Sequence, residues 1–469
     1  MKDTNLPAEL LAIRSFLPEV IAVLEEHIPY ASALVTEQSG FDLQVDSKQE
    51  VISEKPPRRG IVFTLFNGRY FQEWATDNLD KQYLLSKAKE MGKLFADVQP
   101  EAQYTIDPGG ALDKHFDSQF EIDPDSIRLT DMVLACKDLM EEVGKMDHKI
   151  VNVSIHYQDG KEYKVFANRN RLLSSALTLC GIQLVVIGYD KRSTQMNFIG
   201  SGGVTGFEAI RFKRAQLQEL IADLNLLFES SPLEPGDYPV VSSPEVSGIL
   251  AHEAFGHGVE LDMFAKRRAK AKQFMNKAVA ADLVDMYDDP SMPGLHGSYF
   301  FDDEGAVAAA TKIIDKGVLK QGLSDLRSAT VLGLPRTANG RRESFERKVY
   351  ARMSNTFFGK GTSSFEDMLA ALDNGLYLKK SSSGMEDPKG WGIQVGINLA
   401  QEVRKGKLTS KVYAPLTMTG YVPDLLHSIT MVGRELGGFS SGGFCGKGHK
   451  ELVRVSSGGP HLKFTARLG

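Results

Sequence analysis

The chain is poor in cysteine, with three cysteines among 469 residues. So few thiols exclude a framework of disulfide bonds and are typical of a reducing compartment, so we expect a cytoplasmic protein. No run of 18 apolar residues occurs anywhere, which excludes a membrane-spanning helix. No uninterrupted apolar stretch follows the basic residue near the start of the chain, so no signal peptide is predicted.

The chain also lacks an excess of positive charge. It has 55 Lys and Arg residues against 60 Asp and Glu residues, which gives a formal net charge of −5. Proteins that live on nucleic acid usually carry a basic excess, so no nucleic-acid partner is expected. Hydrophobic residues make up 42% and charged residues 25%, as in ordinary globular proteins, and 469 residues are enough for two cores.

Helical and strand-like patterns alternate in the first half of the chain. Apolar residues at helical spacing predict helices over residues 8–28 and 206–228. Alternating apolar residues predict a hairpin over residues 149–168, with its turn at Asp159-Gly160. Helices mixed with antiparallel strands predict a mixed α/β domain.

A turn-rich segment over residues 230–239 separates this half from the rest. Beyond it, short strand candidates and glycine turns predominate, which favours a β-barrel or a β-sandwich. We therefore predict an α+β protein. Its N-terminal mixed α/β domain covers residues 1–229, and a β-rich, barrel- or sandwich-like domain covers residues 230–469.

One motif in the second half combines possible metal ligands with a possible general base. It is His252-Glu253-Ala254-Phe255-Gly256-His257. Just before it, Ser242 and Glu245 flank Pro244 in the pattern of a capping box. This pattern predicts a helix that begins at about residue 243 and runs into the motif.

The spacing of the two histidines departs from the usual zinc-peptidase pattern. That pattern has two histidines four residues apart on one helix face, with a glutamate after the first. Here the spacing is five, which places the two side chains about 140° apart on a regular α-helix. A single wider turn near Gly256 would bring them together, so a distorted helix end is expected.

A catalytic zinc site needs a third protein ligand beside two imidazoles. The residues leave four candidates open: Cys445, His296, Asp262 and Glu260. Cys445 lies among glycines in a segment that could approach a helix, and zinc binds thiolate strongly. In such a site Glu253 would take a proton from water and deliver it to the leaving amine.

Most of the chain resembles the TldD/PmbA family of metallopeptidases, in its motif-bearing branch, and the resemblance is strongest from about residue 240 onward. The family's later blocks occur in the same order, at Asp302–Gly305, Asn339–Ser344, Arg352–Thr356 and Cys445–Lys447. The resemblance implies that His252, His257 and Cys445 bind zinc and that Glu253 is the catalyst. It also implies an α/β domain followed by a β-rich domain, and an active site enclosed by a homodimer or by a heterodimer with a paralogous subunit.

Four further residues are candidate substrate contacts. Arg341 and Arg342 could position a substrate carboxylate, although a structural ion pair is an equal alternative. Gly442 and Gly443, in the glycine-rich segment 437–448, could let an extended peptide approach as an added strand. A plain tight loop is the alternative there.

The leading hypothesis is therefore a zinc-dependent metallopeptidase that hydrolyses unfolded or extended peptides, in maturation or in degradation. The alternative is a catalytically silent subunit or scaffold of a TldD/PmbA-type dimer, which would have no need to keep Glu253. A regulator of a nucleic-acid enzyme is a third hypothesis, which the charge balance does not support.

Overall fold

The computed structural model describes residues 5–96 and 103–469. The first four residues, which enter the prediction that no signal peptide is present, lie outside the described residues. The described chain forms nine α-helices, α1 to α9, at Ala8–Glu25, Lys81–Ala96, Leu129–Gly144, Arg214–Phe228, Pro244–Ala251, Leu261–Ala265, Leu326–Leu332, Phe365–Leu372 and Val422–His427. Short 3-10 turns lie at Pro124–Ser126, Phe207–Ile210, His257–Val259 and Lys270–Phe274, and one π turn lies at His252–Gly256.

Twenty-two strands, β1 to β22, complete the described part of the chain. The first seven are Tyr30–Val45, Glu50–Phe66, Phe71–Thr76, Leu112–Asp117, Ile150–Asn168, Arg171–Tyr189 and Thr194–Gly203. The next seven are Gly236–Ser242, Met286–Asp288, Thr311–Asp315, Val318–Leu319, Gly340–Arg341, Tyr350–Ala351 and Asn355–Phe358. The last eight are Gly375–Asp387, Gly392–Arg404, Lys407–Tyr413, Leu416–Tyr421, Met431–Val432, Gly443–Lys447, Glu451–Gly458 and Leu462–Leu468. This content confirms the predicted α+β class with a β-rich second half.

The first seven strands form one sheet in the order β3-β2-β1-β5-β6-β4, and β7 also pairs with β6. One face of the sheet is covered by α1 and α2 at one end of the long strands and by α3 and α4 at the other. The opposite face carries Leu34, Val62 and Phe166, which pack against Phe301 and Phe345 from the second half of the chain. The first sheet therefore lies between its own helices and the second half.

The predicted hairpin over residues 149–168 is wrong, because this segment is the single strand β5. The strand pairs with β1 along one edge and with β6 along the other. Gly160 lies opposite Gly40 of β1, and a Cβ at Gly160 would lie 2.9 Å from the Ser39 carbonyl oxygen. The glycine of the Asp-Gly pair thus allows two strands to approach closely, and it does not form a turn.

Two predicted helices have different outcomes. The helix over residues 8–28 is confirmed as α1, although it ends three residues earlier. The helix predicted over residues 206–228 begins only at Arg214, because residues 207–210 form a separate turn. The Glu208 carboxylate stabilises this turn by accepting hydrogen bonds from the Gly206 and Ile122 backbone amides, at 2.9 and 3.0 Å.

The second half is built around a closed ring of strands. β8 pairs with β15, β15 with β16, β16 with β18, β18 with β22, and β22 with β8. The ring makes this part a five-stranded barrel, which is one of the two architectures predicted for it. Apolar residues of these strands share one buried core with residues of α5. The helix that leads into the histidine motif is therefore packed on the barrel.

A second sheet of six strands adjoins the barrel in the order β11-β10-β9-β14-β21-β20. Asp288 of β9 is fully buried and accepts hydrogen bonds from the side chains of Ser354, Thr356 and Asn339, at 2.6 to 2.7 Å. Ser354 directly precedes β14 and Thr356 lies in it, so these bonds fix the start of that strand. β20 lies at the end of the sheet and pairs only with β21 among the described strands.

Strands before and after residue 230 belong to different sheets. The predicted division into residues 1–229 and 230–469 stays a prediction. Within residues 5–96 and 103–469, no helix combines the length and the apolar character needed to cross a bilayer.

Candidate metal centre

Helix α5 carries the histidine motif at its C-terminal end. Its N-cap is Ser243, whose Oγ accepts a hydrogen bond from the Val246 amide at 3.4 Å. The capping box predicted between Ser242 and Glu245 is wrong. Ser242 is fully buried at the end of β8, and its Oγ lies 2.8 Å from the Ser247 Oγ.

The helix changes its winding at the motif, as the spacing of the histidines requires. The α-helical turns stop at Ala251, one π turn covers residues 252–256, and a 3-10 turn follows over residues 257–259. A π turn brings residues five apart almost into line along the helix. The imidazole rings of His252 and His257 accordingly lie with their centres 5.2 Å apart. The predicted distortion of the helix end is confirmed.

Two glycines allow the surroundings to approach this distorted helix end. A Cβ at Gly256 would overlap the Met353 sulfur atom, and Met353 is fully buried. A Cβ at Gly258 would lie 2.6 Å from Glu386 Oε1. Any larger residue at either position would therefore displace a neighbour that packs on the motif.

Strand β20 brings Cys445 to the two histidines, almost two hundred residues after them. One donor atom each of His252, His257 and Cys445 lies within 4.8 Å of the others. The Cys445 sulfur lies 3.4 Å from the Nε2 of His257. Among the described residues, this is the one group of three or more His, Cys, Asp or Glu side chains with a spacing suited to a metal ion. The structure thus brings the three predicted ligands together.

The position of Cys445 is fixed by the two-stranded ribbon of β20 and β21. Cys445 pairs with Val453 across this ribbon. Arg352, which is 1% exposed, donates hydrogen bonds to the carbonyl oxygens of Cys445 on β20 and Glu451 at the start of β21. A buried guanidinium that joins both strands leaves the ribbon little freedom to move.

The charges in the cluster favour a thiolate. Burial alone would raise the pKa of the Cys445 thiol, but the charge of His257 and hydrogen bonds from both histidines hold it well below its usual range. By contrast, burial raises the pKa of Cys136 and of Cys180 to about 12. The thiolate is the form of cysteine that binds metal ions, so Cys445 alone of the three cysteines is prepared for that role.

A set of charged side chains contacts His257 at Nδ1, the ring nitrogen on the side away from Cys445. Burial opposes the charge on Glu260, but Lys447 and His257 lower the pKa of this carboxyl to about 2. One of its oxygens lies 3.3 Å from the Nδ1 of His257 and 2.9 Å from the Lys447 Nζ. Lys447 also donates to Asp262 at 2.6 Å. Such a partner on the outer nitrogen orients an imidazole for metal binding.

The other candidates for a third ligand are placed elsewhere. Glu260 contacts the outer nitrogen of His257, and Asp262 contacts Lys447. His296 packs against Phe444, with 5.3 Å between the ring centres. Of the four alternatives that the sequence leaves open, Cys445 is the one that the structure places with both histidines.

Glu253 lies next to the cluster with its carboxylate free. Its half-buried side chain makes no hydrogen bond or ion pair within residues 5–96 and 103–469. It packs against Gly384 of β15, where a Cβ would overlap the Glu253 Cγ. This carboxylate is therefore available to exchange a proton beside the candidate metal ligands.

Sequence reasoning missed Glu386, which follows Gly384 on β15. Its Oε2 accepts a hydrogen bond from the Gly258 amide at 2.9 Å, directly after His257. Burial raises the pKa of Glu386 well above its usual range, and the nearby carboxylates of Glu260 and Glu253 add to the rise. A single glutamate in the polar run of β15 carries no sequence signal, so only the fold reveals its contact with the motif.

The four candidate substrate contacts have different surroundings. Arg342 forms an ion pair with Glu73 at 2.7 Å, which is the structural alternative. Arg341 donates to the carbonyl oxygens of Met353 and Arg454, both at 2.7 Å. Gly443 begins β20, and Gly442 precedes it with open space where a Cβ would stand. Their contact with a substrate stays a prediction.

Known proteins are similar to this chain in sequence and in fold. A family model described as the PmbA/TldA metallopeptidase C-terminal domain matches residues 235–466. A zinc metalloprotease TldD homolog of Saccharolobus solfataricus is 30% identical over 69% of this chain and 72% of its own length. Two solved structures share the fold alone, at 18% and 15% identity.

These two structures cover nearly the whole chain. A Thermotoga maritima protein described as a candidate modulator of a DNA gyrase covers 97% of this chain and 99% of its own, with a TM-score of 0.76. TldE from Thermococcus kodakarensis covers 96% and 99%, with a TM-score of 0.71. The family resemblance seen in the motifs is thus confirmed by sequence, and the whole fold has solved counterparts.

A substitution at Gly248 of α5 tests the close packing of this helix, which carries the motif. A Cβ there would lie 2.5 Å from the Gly458 backbone nitrogen, at the end of β21. Alanine is ordinarily favoured over glycine in a helix by about 1 kcal/mol, but here a backbone would have to move. We therefore expect Gly248→Ala to lower the free energy of unfolding by about 2 kcal/mol in a denaturant titration.

Gly110→Ala is the matched control for this substitution, because nothing lies within 4 Å of a Cβ at Gly110. It should change the free energy of unfolding by less than about 0.5 kcal/mol. If Gly248→Ala were as stable as the unchanged protein, the close approach of α5 to β21 would be contradicted.

Proposed function

Because the chain belongs to the PmbA/TldD family of metallopeptidases, we propose that it is a zinc-dependent peptidase that hydrolyses unfolded or extended peptides. The observation that carries the proposal is the largely buried cluster of His252, His257 and Cys445, with Glu253 next to His252 in the chain. A relative described as a zinc metalloprotease supports the choice of metal and of reaction.

The donor set fits a zinc ion. Two imidazoles and one thiolate leave a fourth position open, as catalytic zinc sites require, and this combination favours zinc over harder cations. His252 has a buried Nδ1 without a hydrogen-bond partner among the described residues, so no protein contact competes at that nitrogen. Zinc held by His252, His257 and Cys445 would supply Lewis acidity, which polarises a peptide carbonyl and activates water.

We assign proton transfer to Glu253. Its carboxylate follows His252 in the chain and has no competing hydrogen bond within the described residues. It would accept a proton from the attacking water and deliver it to the leaving amine. Any side chain at residue 384 would collide with Glu253, so the glycine there leaves room for this carboxylate.

The free edge of β20 supports an extended substrate. The strand offers unpaired amide and carbonyl groups on the side away from β21, as far as the described strands show. A peptide added there as a further strand would run beside Cys445. The open space at Gly442 and the start of β20 at Gly443 suit such an approach, so we retain both as substrate contacts.

We also propose that the chain works as a dimer in the cytoplasm, either with itself or with a paralogous subunit. This proposal rests on the resemblance to the TldD/PmbA family, which implies a dimer that encloses the active site. The net charge of −5 gives no support for a nucleic-acid partner.

Metal analysis tests the ligand set. Protein purified without chelator should carry about one zinc ion per chain, and Cys445→Ala should lose it because two imidazoles alone hold zinc weakly. Cys136→Ala is the matched control, since Cys136 is fully buried in the core of the first sheet. Equal zinc contents in the two variants would contradict Cys445 as a ligand.

Cleavage of an unstructured peptide tests Glu253. Glu253→Gln should lower kcat by about 10²- to 10⁴-fold, because the amide cannot accept the proton from water. Its zinc content should match that of the unchanged protein. Exposed Glu366 provides the control Glu366→Gln, which should keep the full rate. Unchanged cleavage by Glu253→Gln would rule out the assigned role.

A further inference from the structure

A cavity lies against the ribbon of β20 and β21. It has a volume of about 580 Å³ and opens between the first sheet and the second half of the chain. We name it the ribbon chamber, and it is lined among others by Glu162, Lys164, Asp303, Arg341, Phe444 and Arg454.

The ribbon separates this chamber from the candidate metal centre. Cys445 and Val453 are paired across the ribbon, and so are their neighbours Phe444 and Arg454. Neighbouring side chains of a strand point to opposite faces, so the pair Phe444 and Arg454 points away from the histidines. One strand thus carries a candidate metal ligand on one face and a wall of the chamber on the other.

The buried charges of the chamber do not balance. Lys164 lies 2.7 Å from Asp303 and 3.2 Å from Glu162, and Arg454 lies 3.4 Å from Glu162. Arg341 is 6% exposed and has no ion-pair partner among the described carboxylates. Among these five side chains, three cations face two carboxylates, so the buried guanidinium of Arg341 is left without a carboxylate partner. An uncompensated buried charge is costly unless a ligand supplies its partner.

The guanidinium of Arg341 has donors to spare. Only its Nη1 donates within the described residues, to two carbonyl oxygens, so Nε and Nη2 remain available. The ring of Tyr299 covers one face of the guanidinium, with its centre 4.8 Å away. A guanidinium with two free donors fits a carboxylate, which accepts parallel hydrogen bonds.

His296 adds a neutral polar group to the same wall. Burial lowers the pKa of His296 to about 3, and the charges of Arg454 and Arg341 act in the same direction. The ring is 5% exposed, and its Nε2 has no hydrogen-bond partner among the described residues. A neutral imidazole adds no positive charge, so the excess at this wall comes from the lysine and the arginines and not from His296.

We propose that the ribbon chamber binds a carboxylate of the peptide substrate through Arg341 and Lys164, so that the enzyme prefers peptides with a carboxylate close to the cleaved bond. This inference rests on the proposed function, because it places the peptide on the free edge of β20. An extended peptide there alternates its side chains between the face of Cys445 and the face of Phe444. One carboxylate can then enter the chamber while the backbone lies beside the candidate metal ligands.

Phe444 stands at the mouth of the chamber with 52% of its surface exposed. An exposed aromatic ring beside buried cations suits the aliphatic part of a Glu or Asp side chain, or the last residue of a chain. The carboxylate can thus come from two sources, an acidic side chain or the peptide C-terminus. The experiment must separate them.

The test uses four versions of one unstructured fluorescent peptide. They combine a free or amidated C-terminus with Glu or Gln at the interior acidic positions. Binding to the full-length Glu253→Gln protein, measured by fluorescence anisotropy, needs no cleavage. Loss of the carboxylate that enters the chamber should weaken binding about tenfold, the size of one charge-assisted contact. Loss of affinity with the amide identifies the C-terminus, and loss with Gln identifies the side chain.

Arg341→Gln, made in the same Glu253→Gln background, links the preference to the chamber. The glutamine amide can still donate to one of the two carbonyl oxygens, while the charge is removed. The tenfold preference should fall to about one, whereas Arg434→Gln, at an exposed arginine, should retain it. A preference that persists in Arg341→Gln would overturn the assignment.

The two proposals fail in different ways. Equal binding of all four peptides overturns the carboxylate site, even if the unchanged protein cleaves them. A carboxylate-dependent affinity without cleavage by the zinc-loaded protein supports the chamber and contradicts the peptidase. The peptide comparison needs no substitution in the chamber, so a folding defect of Arg341→Gln leaves it decisive.

Discussion

Two imidazoles five residues apart must reach one point, and the rest of the site depends on how the chain meets this constraint. A regular α-helix would hold His252 and His257 about 140° apart. The π turn over residues 252–256 removes most of this difference. Met353 packs on this turn at Gly256, and Glu386 packs just after it at Gly258. Both contacts are possible because neither glycine has a Cβ. The wider winding at this helix end is enclosed by the packing around it.

The ribbon of β20 and β21 supplies the third side chain of the cluster. It brings Cys445 to within 3.4 Å of His257 and is tied down by buried Arg352. Lys447, two residues further on, donates to Glu260 and to Asp262 and so holds Glu260 on the outer nitrogen of His257. The opposite face of the ribbon forms a wall of the cationic chamber. One short strand therefore links the candidate metal centre, its supporting charges and the proposed substrate site.

Local pattern was enough to predict the parts of the site that depend on sequence neighbours. The motif, the need for a distorted helix end and the β-rich second half all follow from spacing and turn residues. The link to Cys445 came from the family resemblance, because no local signal joins residues so far apart. The Asp159-Gly160 pair led to a wrong prediction of a turn. Glycine is needed there because β5 and β1 approach closely, and the sequence alone does not distinguish this need from that of a turn. Glu386 and the chamber arise only from long-range packing, which periodicity does not encode.

X-ray absorption spectroscopy at the zinc edge tests the central claim most directly, because it reports the atoms bound to the metal. The zinc-loaded protein should show one sulfur at about 2.3 Å and two imidazole nitrogens at about 2.0 Å. The sulfur contribution should be assigned to Cys445, since Cys136 and Cys180 lie in the core of the first sheet. A metal shell of nitrogen and oxygen alone would contradict a site built from His252, His257 and Cys445.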